Sequence, residues 1–108
     1  MASSQEYLDF IIGQLDTLED VSFRKMMGEY ILYFRGKIFG GIYDDRLLVK
    51  ITKASRQLIL EAVEELPYDG AKPMLLVDDV DNKEFLYQLI TEMYEELPIP
   101  KAKKKKIC

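Results

Sequence analysis

Arg24 to Ile51, RKMMGEYILYFRGKIFGGIYDDRLLVKI, decides the fold. Tyr30–Phe34, Ile38–Tyr43 and Leu47–Ile51 are runs of β-branched, aromatic and aliphatic residues that favour a pleated, half-buried surface. They are separated by Arg35-Gly36-Lys37 and Asp44-Asp45-Arg46, residue types that accept turn geometry. Gly36 supplies the positive φ of a two-residue hairpin turn. Gly40-Gly41 falls inside the run Ile38–Tyr43, where paired glycines signal a bulge, a strong twist or close approach by another backbone. Immediately upstream, Val21, Phe23, Lys25 and Met27 alternate with Ser22, Arg24 and Met26, and Gly28 permits a reversal into Glu29–Phe34. This is a fourth strand, each of whose faces mixes apolar and charged groups.

Outside the strands the period changes to that of a helix. Ser3 and Glu6 have capping-box spacing ahead of an apolar stripe of Tyr7, Leu8, Ile11, Ile12, Leu15 and Leu18. Gly13 interrupts that helix at about 1 kcal/mol relative to alanine, as a close packing contact or as a tolerated defect. Ser55–Leu66 carries a second stripe that Pro67 stops, and Tyr68-Asp69-Gly70 is a turn. Met74–Val77 is a short strand, and Pro73 at its entrance fits an edge position or a strand's first residue. Asp81 with Glu84 caps the last helix, whose stripe of Phe85, Leu86, Leu89, Ile90, Met93, Tyr94 and Leu97 ends before Pro98 and Pro100. The expected order is α-β-β-β-β-α-β-α: an α+β fold, mainly antiparallel, with helices on one face of the sheet.

Composition narrows the chemistry. A chain of 108 residues with 48% hydrophobic and 31% charged residues is expected to form one globular domain, over residues 1–100, followed by a disordered basic tail at 101–108. The tail, with Lys101, Lys103, Lys104, Lys105 and Lys106, holds five of the fifteen basic residues. The remainder sets ten basic against nineteen acidic residues, a poor surface for nucleic acid. There is no histidine, and the one cysteine is Cys108. Ser-His-Asp and Cys-His catalysis, His/Cys zinc sites and an intrachain disulfide are therefore excluded. No apolar run reaches bilayer length and no leader pattern is read, so a cytoplasmic location without membrane contact is expected.

Four motifs in order carry a family likeness. Met26-Met27-Gly28-Glu29-Tyr30-Ile31-Leu32-Tyr33 and Gly36-Lys37-Ile38-Phe39-Gly40 resemble the TfoX N-terminal domain signature, approximately M-F-G-G-Y-G-L-Y followed by G-K-M-F. Asp44 to Lys50 is similar to that family's D-D-x-L-Y-L-K, and Tyr68 to Met74 to its segment around K-P-M. The likeness covers roughly residues 5–97. Met27 stands where the family commonly has phenylalanine, and Glu29 and Ile31 replace two glycines, stiffening that segment. The resemblance implies a secretion-chaperone-like antiparallel sheet with helices; it carries over no catalytic residues, and no cofactor is assigned. It also implies a bacterial competence regulator that acts on transcription of DNA-uptake genes with the cAMP receptor protein.

Candidate interaction residues are Arg24, Lys25, Arg35 and Lys37, a local positive patch, with the tyrosines Tyr30, Tyr33 and Tyr43. The competing reading of the cations is solvated strand-end charge, and of the aromatics, core packing. Asp44-Asp45 and Asp78-Asp79-Asp81 lack the calcium-loop pattern and read as turn and cap residues, so no metal is assigned. The expected function is a non-enzymatic module presenting its sheet to a protein partner, with the transcription machinery or a second copy of the chain among the alternatives. A small-molecule binder or enzyme with a carboxylate, tyrosine and arginine pocket is another alternative, as is nucleic-acid binding through the lysine tail.

Overall fold

In the computed structural model, which describes residues 4–98, the breaks between strands become three two-residue turns of left-handed backbone. Met27-Gly28 (φ 51° and 86°), Arg35-Gly36 (52° and 82°) and Asp44-Asp45 (57° and 56°) link four consecutive strands. These are β1 (Val21–Met26), β2 (Glu29–Phe34), β3 (Lys37–Ile42) and β4 (Leu47–Val49). Paired positive φ values match the right-handed twist of the flanking strands, so each hairpin closes without splaying. Two short strands, β5 (Glu64–Glu65) and β6 (Met74–Leu76), complete an antiparallel sheet of order β1-β2-β3-β4-β6-β5. Three helices join it: α1 (Gln5–Gln14), α2 (Lys53–Leu58) and α3 (Lys83–Met93), the last continuing into a 3-10 turn at Tyr94–Glu96. The α+β architecture and element order are those read from the sequence.

Strand alternation assigns the two faces. Tyr30, Leu32 and Phe34 of β2 point into the core with Phe39, Ile42, Leu47, Val49 and Leu75. The helices bring Leu8, Ile11 and Leu15 from α1 and Leu86, Leu89, Ile90 and Met93 from α3 onto that face. Between the pairs Leu32–Gly40 and Tyr33–Ile38 the register shifts, leaving Phe39 as the extra residue of a bulge. A Cβ on Gly40 would lie 2.1 Å from the Leu48 carbonyl oxygen. One on Gly41 would lie 2.6 Å from both the Tyr30 carbonyl and the Tyr43 ring. The glycine pair is thus both a bulge neighbour and a point of close backbone approach.

The helix boundaries differ from the sequence reading in three places. The cap of α1 is Ser4, whose hydroxyl accepts from the Tyr7 amide at 3.1 Å; Ser3 lies outside the described residues. The cap of α3 is Asn82, accepting from the Phe85 amide at 3.1 Å, and not Asp81; either residue type can fill the role, and the inward stripe fixes which one does. The largest departure is α2, which starts after Thr52 and stops at Leu58. Thr52 and Ser55 exchange a reciprocal capping box, and Ser55 is fully buried. Downstream, Ile59 is extended, Glu61 takes φ 56°, and Leu60 is left 82% exposed. Continued helix would leave the edge of β6 unpaired. Instead Val63 accepts from the Leu76 amide at 2.9 Å and Glu64–Glu65 pair with β6.

The glycines separate three physical situations. An added methyl at Gly13 meets nothing within 4 Å, so tolerance is the reading the geometry supports there. Gly13→Ala is expected to raise stability by about 0.5–1 kcal/mol through helix propensity and loss of unfolded-state freedom. Gly36→Ala, with open space but φ +82°, should cost about 1 kcal/mol. Gly40→Ala should cost about 1–3 kcal/mol or more, because strand backbone must move. Urea midpoints at unchanged m-value check the ranking; a Gly40→Ala variant as stable as the parent would refute the close approach.

Candidate functional site

The face of the sheet turned away from the helices is not flat. Met26, Ile31, Tyr33, Ile38 and Leu48 project from it by alternation, as does Lys50 immediately after β4. The segment 66–73 folds back over this face, and the space between forms a trough in two lobes. One lobe, about 640 Å³, is lined by Met26, Met27, Glu29, Ile31, Tyr43, Pro67 and Tyr68. The other, about 760 Å³, includes Ile38, Lys50, Lys72 and Met74, and shares Tyr43, Pro67 and Tyr68 with the first.

Each wall has a local cause. Gly41 has no side chain, so the Tyr43 ring lies down over the sheet in its place. Tyr68 meets that ring at 6.4 Å between centroids, tilted by 55°. Arg46 bonds the Tyr43 carbonyl through Nε at 3.1 Å and forms an ion pair with Glu65, fastening the turn to β5. Asp44 and Asp45 serve as turn residues. The Asp44 amide donates to Glu29 Oε1 at 3.1 Å, and Asp45 Oδ1 accepts from the Ser4 amide at 2.8 Å, which ties two turns and the start of α1 together. Lys50 is held by its backbone: its amide donates to the Phe39 carbonyl at 2.9 Å, and its carbonyl accepts from buried Ser55 Oγ at 2.9 Å.

The electrostatics of the two lobes differ. Burial raises the Tyr43 phenol above its ordinary value, with Tyr68, Glu29 and Tyr33 adding to the rise, so the ring stays neutral. Burial lowers Lys50, and the neighbouring positive charge of Lys72 lowers it further. Among the described residues neither lysine has an ion-pair partner, whereas Arg46, Arg56 and Lys83 each have a carboxylate.

The residues singled out from the sequence do not form one patch. Tyr30 is 3% exposed and belongs to the core, where Phe23 packs edge-on against it at 5.9 Å. Arg35 and Lys37 gather at the end of α3. The Arg35 guanidinium lies 5.1 Å from the Phe34 ring centre, and Lys37 Nζ lies 4.2 Å from the Tyr94 ring centre while donating to the Tyr94 carbonyl at 3.2 Å. A cation at a helix C-terminus over aromatic rings stabilises the β2–β3 turn against α3. Arg24 shares the trough face with Tyr33, Lys25 is on the opposite face of edge strand β1, and Tyr43 alone of the seven lines the trough. The lysine tail lies outside the described residues. Sequence reasoning missed Met26, Met27, Ile31, Lys50, Tyr68 and Lys72. Their signal was present in the family motifs, but only the folded-back 66–73 segment brings them together.

With that geometry in hand, the relatives can be placed. Residues 13–96 match the TfoX N-terminal domain. The chain belongs to that family. It is also 35% identical over 107 residues, 98% of this chain and 93% of the relative, to an "Uncharacterized 12.7 kDa protein in trpE 5'region" of Spirochaeta aurantia. No solved structure matches. Among the described residues of this TfoX N-terminal domain, no helix is long and apolar enough to cross a membrane.

The raised Tyr43 predicts an alkaline limb of instability. A phenol that holds its proton more tightly when folded contributes stability present below its unfolded value, about 10, and lost as pH rises through the higher folded value. Tyr7, raised chiefly by burial and then by Asp45 and Asp81, acts in the same sense. Tyrosinate absorbance should show part of the population titrating late, and Tyr43→Phe should remove part of that late fraction and flatten the alkaline limb. Simple single-step titration at the ordinary value would contradict the burial.

Proposed function

We propose that this TfoX N-terminal domain is a non-enzymatic regulatory module that binds a segment of a protein partner across the trough. The observation that carries the reading is a solvent-open, mainly apolar trough of two adjoining lobes on the sheet face, which no helix among the described residues covers. Met27 is 95% exposed at its rim and Tyr68 64%. Methionine adapts to irregular partners and tyrosine offers area at low entropic cost, the residue types that suit a binding surface. Such a patch, kept open by a large part of the fold, is costly unless something covers it.

The positions where the sequence departs from the family pattern support the same reading. Met27, Glu29 and Ile31 all line the first lobe. Two added side chains in place of glycines narrow the channel and change what it accepts, while the fold that builds it is retained. Partner choice then varies between family members through these positions. A partner in transcriptional regulation is what the family likeness offers.

Affinity capture from the native cell with the full chain as bait tests the proposal. Met27→Asp replaces an exposed group, so stability should change by no more than about 0.5 kcal/mol; Tyr68→Asp also loses the contact with the Tyr43 ring, at about 1 kcal/mol, and should stay folded. Each is expected to release the partner that the parent retains. A captured protein held equally by parent and variants, or none held by a folded bait, would count against the trough.

A further inference from the structure

The second lobe departs from the charge pattern of the rest of the molecule. The sequence outside the lysine tail is strongly acidic, yet no acidic residue lines this lobe, and Lys50 and Lys72 both do. Their surroundings are Ile38, Pro67, Tyr43 and Tyr68, which supply no counter-charge. Lys50 is held at both backbone groups, by Phe39 and by buried Ser55. Pro73 restricts the backbone of Lys72. Two lysines lining one open lobe, Lys50 partly buried and Lys72 exposed, each without a carboxylate among the described residues, make a candidate anion subsite.

Resting on the reading of the trough as a peptide channel, we infer that this lobe takes a carboxylate of the bound segment, so that the partner carries an acidic side chain a short distance from its apolar anchor. The spacing follows from the sheet. Met26 on β1 and Lys50 after β4 are three strand intervals apart across the sheet and, by register, about four residues apart along it, a diagonal of about 20 Å. An extended chain covers that in about six residues. A compact ligand would fill one lobe only; an extended segment engages both, its apolar side chain among Met26, Ile31 and Tyr68 and its acid between the lysines. Burial of Lys50 strengthens the pairing, since charge-assisted bonds gain where water is excluded.

The test is selection of random peptides displayed on phage against the immobilised full-length chain. Enriched peptides should pair an aromatic or aliphatic residue with Asp or Glu about six positions away. For a fluorescent copy of one such peptide, replacing its Glu by Gln should weaken binding about tenfold, as for loss of one charged hydrogen bond. The Lys50→Met/Lys72→Met chain should bind both versions alike, and so in part should Lys72→Met alone, a substitution of an exposed residue that leaves the fold untouched. The double variant should melt no lower than the parent, because a like-charge contact is removed. Apolar peptides without acidic preference, or an acidic preference that survives in the lysine double variant, would overturn the inference while leaving the channel standing. Lysine-dependent binding of a single-stranded oligonucleotide in place of acidic peptides would overturn it too. No enrichment at all, or peptides held undiminished by Met27→Asp and Tyr68→Asp, would overturn the channel as well.

Discussion

The close approach at Gly40-Gly41 is the constraint on which the rest of the structure depends. With the Leu48 carbonyl 2.1 Å from where a Gly40 side chain would begin, β3 and β4 can come together at this register only if that side chain is missing. The bulge at Phe39 lies next to it and re-aims the strand, so that Phe39 is fully buried against the helices while Ile38 stays on the opposite face. Gly41 performs the complementary task on that opposite face, where its missing side chain is replaced by the Tyr43 ring. One dipeptide therefore sets both the core on one side of the sheet and the floor of the trough on the other.

What the sequence disclosed follows from the range of the interactions involved. The strands and turns of residues 21–51 were legible because they are local: period-two alternation and residues that accept positive φ. The α1 and α3 stripes were legible for the same reason, and Leu8, Ile11, Leu86, Leu89, Ile90 and Met93 are buried as their spacing requires. The second helix was overextended because Leu58, Ile59, Ala62, Val63 and Leu66 keep helical spacing while the free edge of β6 competes for their backbone. That competition is a tertiary one, decided by Leu76 donating to Val63. Of the candidate site residues, Tyr43 was found because it ends a strand. Lys50, Tyr68 and Lys72 were not, since their meeting depends on the return of the 66–73 segment and leaves no periodic trace. Arg35 and Lys37 misled for a related reason: their charge is visible in sequence, but the Tyr94 ring and carbonyl that hold Lys37 are 57 positions away.

The same contacts show how several cations elsewhere are quieted. Arg46 with Glu65, Arg56 with Glu64 and Lys83 with Asp16 are neutralised at the surface, where such pairs contribute little to stability but cancel local field. Lys37 is spent on a helix terminus. In an acidic chain there is no shortage of carboxylates to place beside Lys50 and Lys72, and Glu29 sits in the neighbouring lobe. That neither lysine has one among the described residues is therefore a property of the arrangement and not of composition.

Stability considered alone would choose otherwise. A half-buried ammonium beside a second one costs desolvation and repulsion, both of which lower Lys50, and a methionine of similar length would fit the same apolar walls at less cost. An exposed Met27 held in left-handed backbone adds strain that glycine or asparagine would avoid. These unfavourable features fall at the two ends of one trough and not at random over the surface. Local disagreement with the preferences that build the fold is what a binding site looks like from the side of stability, because groups kept ready for another molecule cannot also be satisfied by their own.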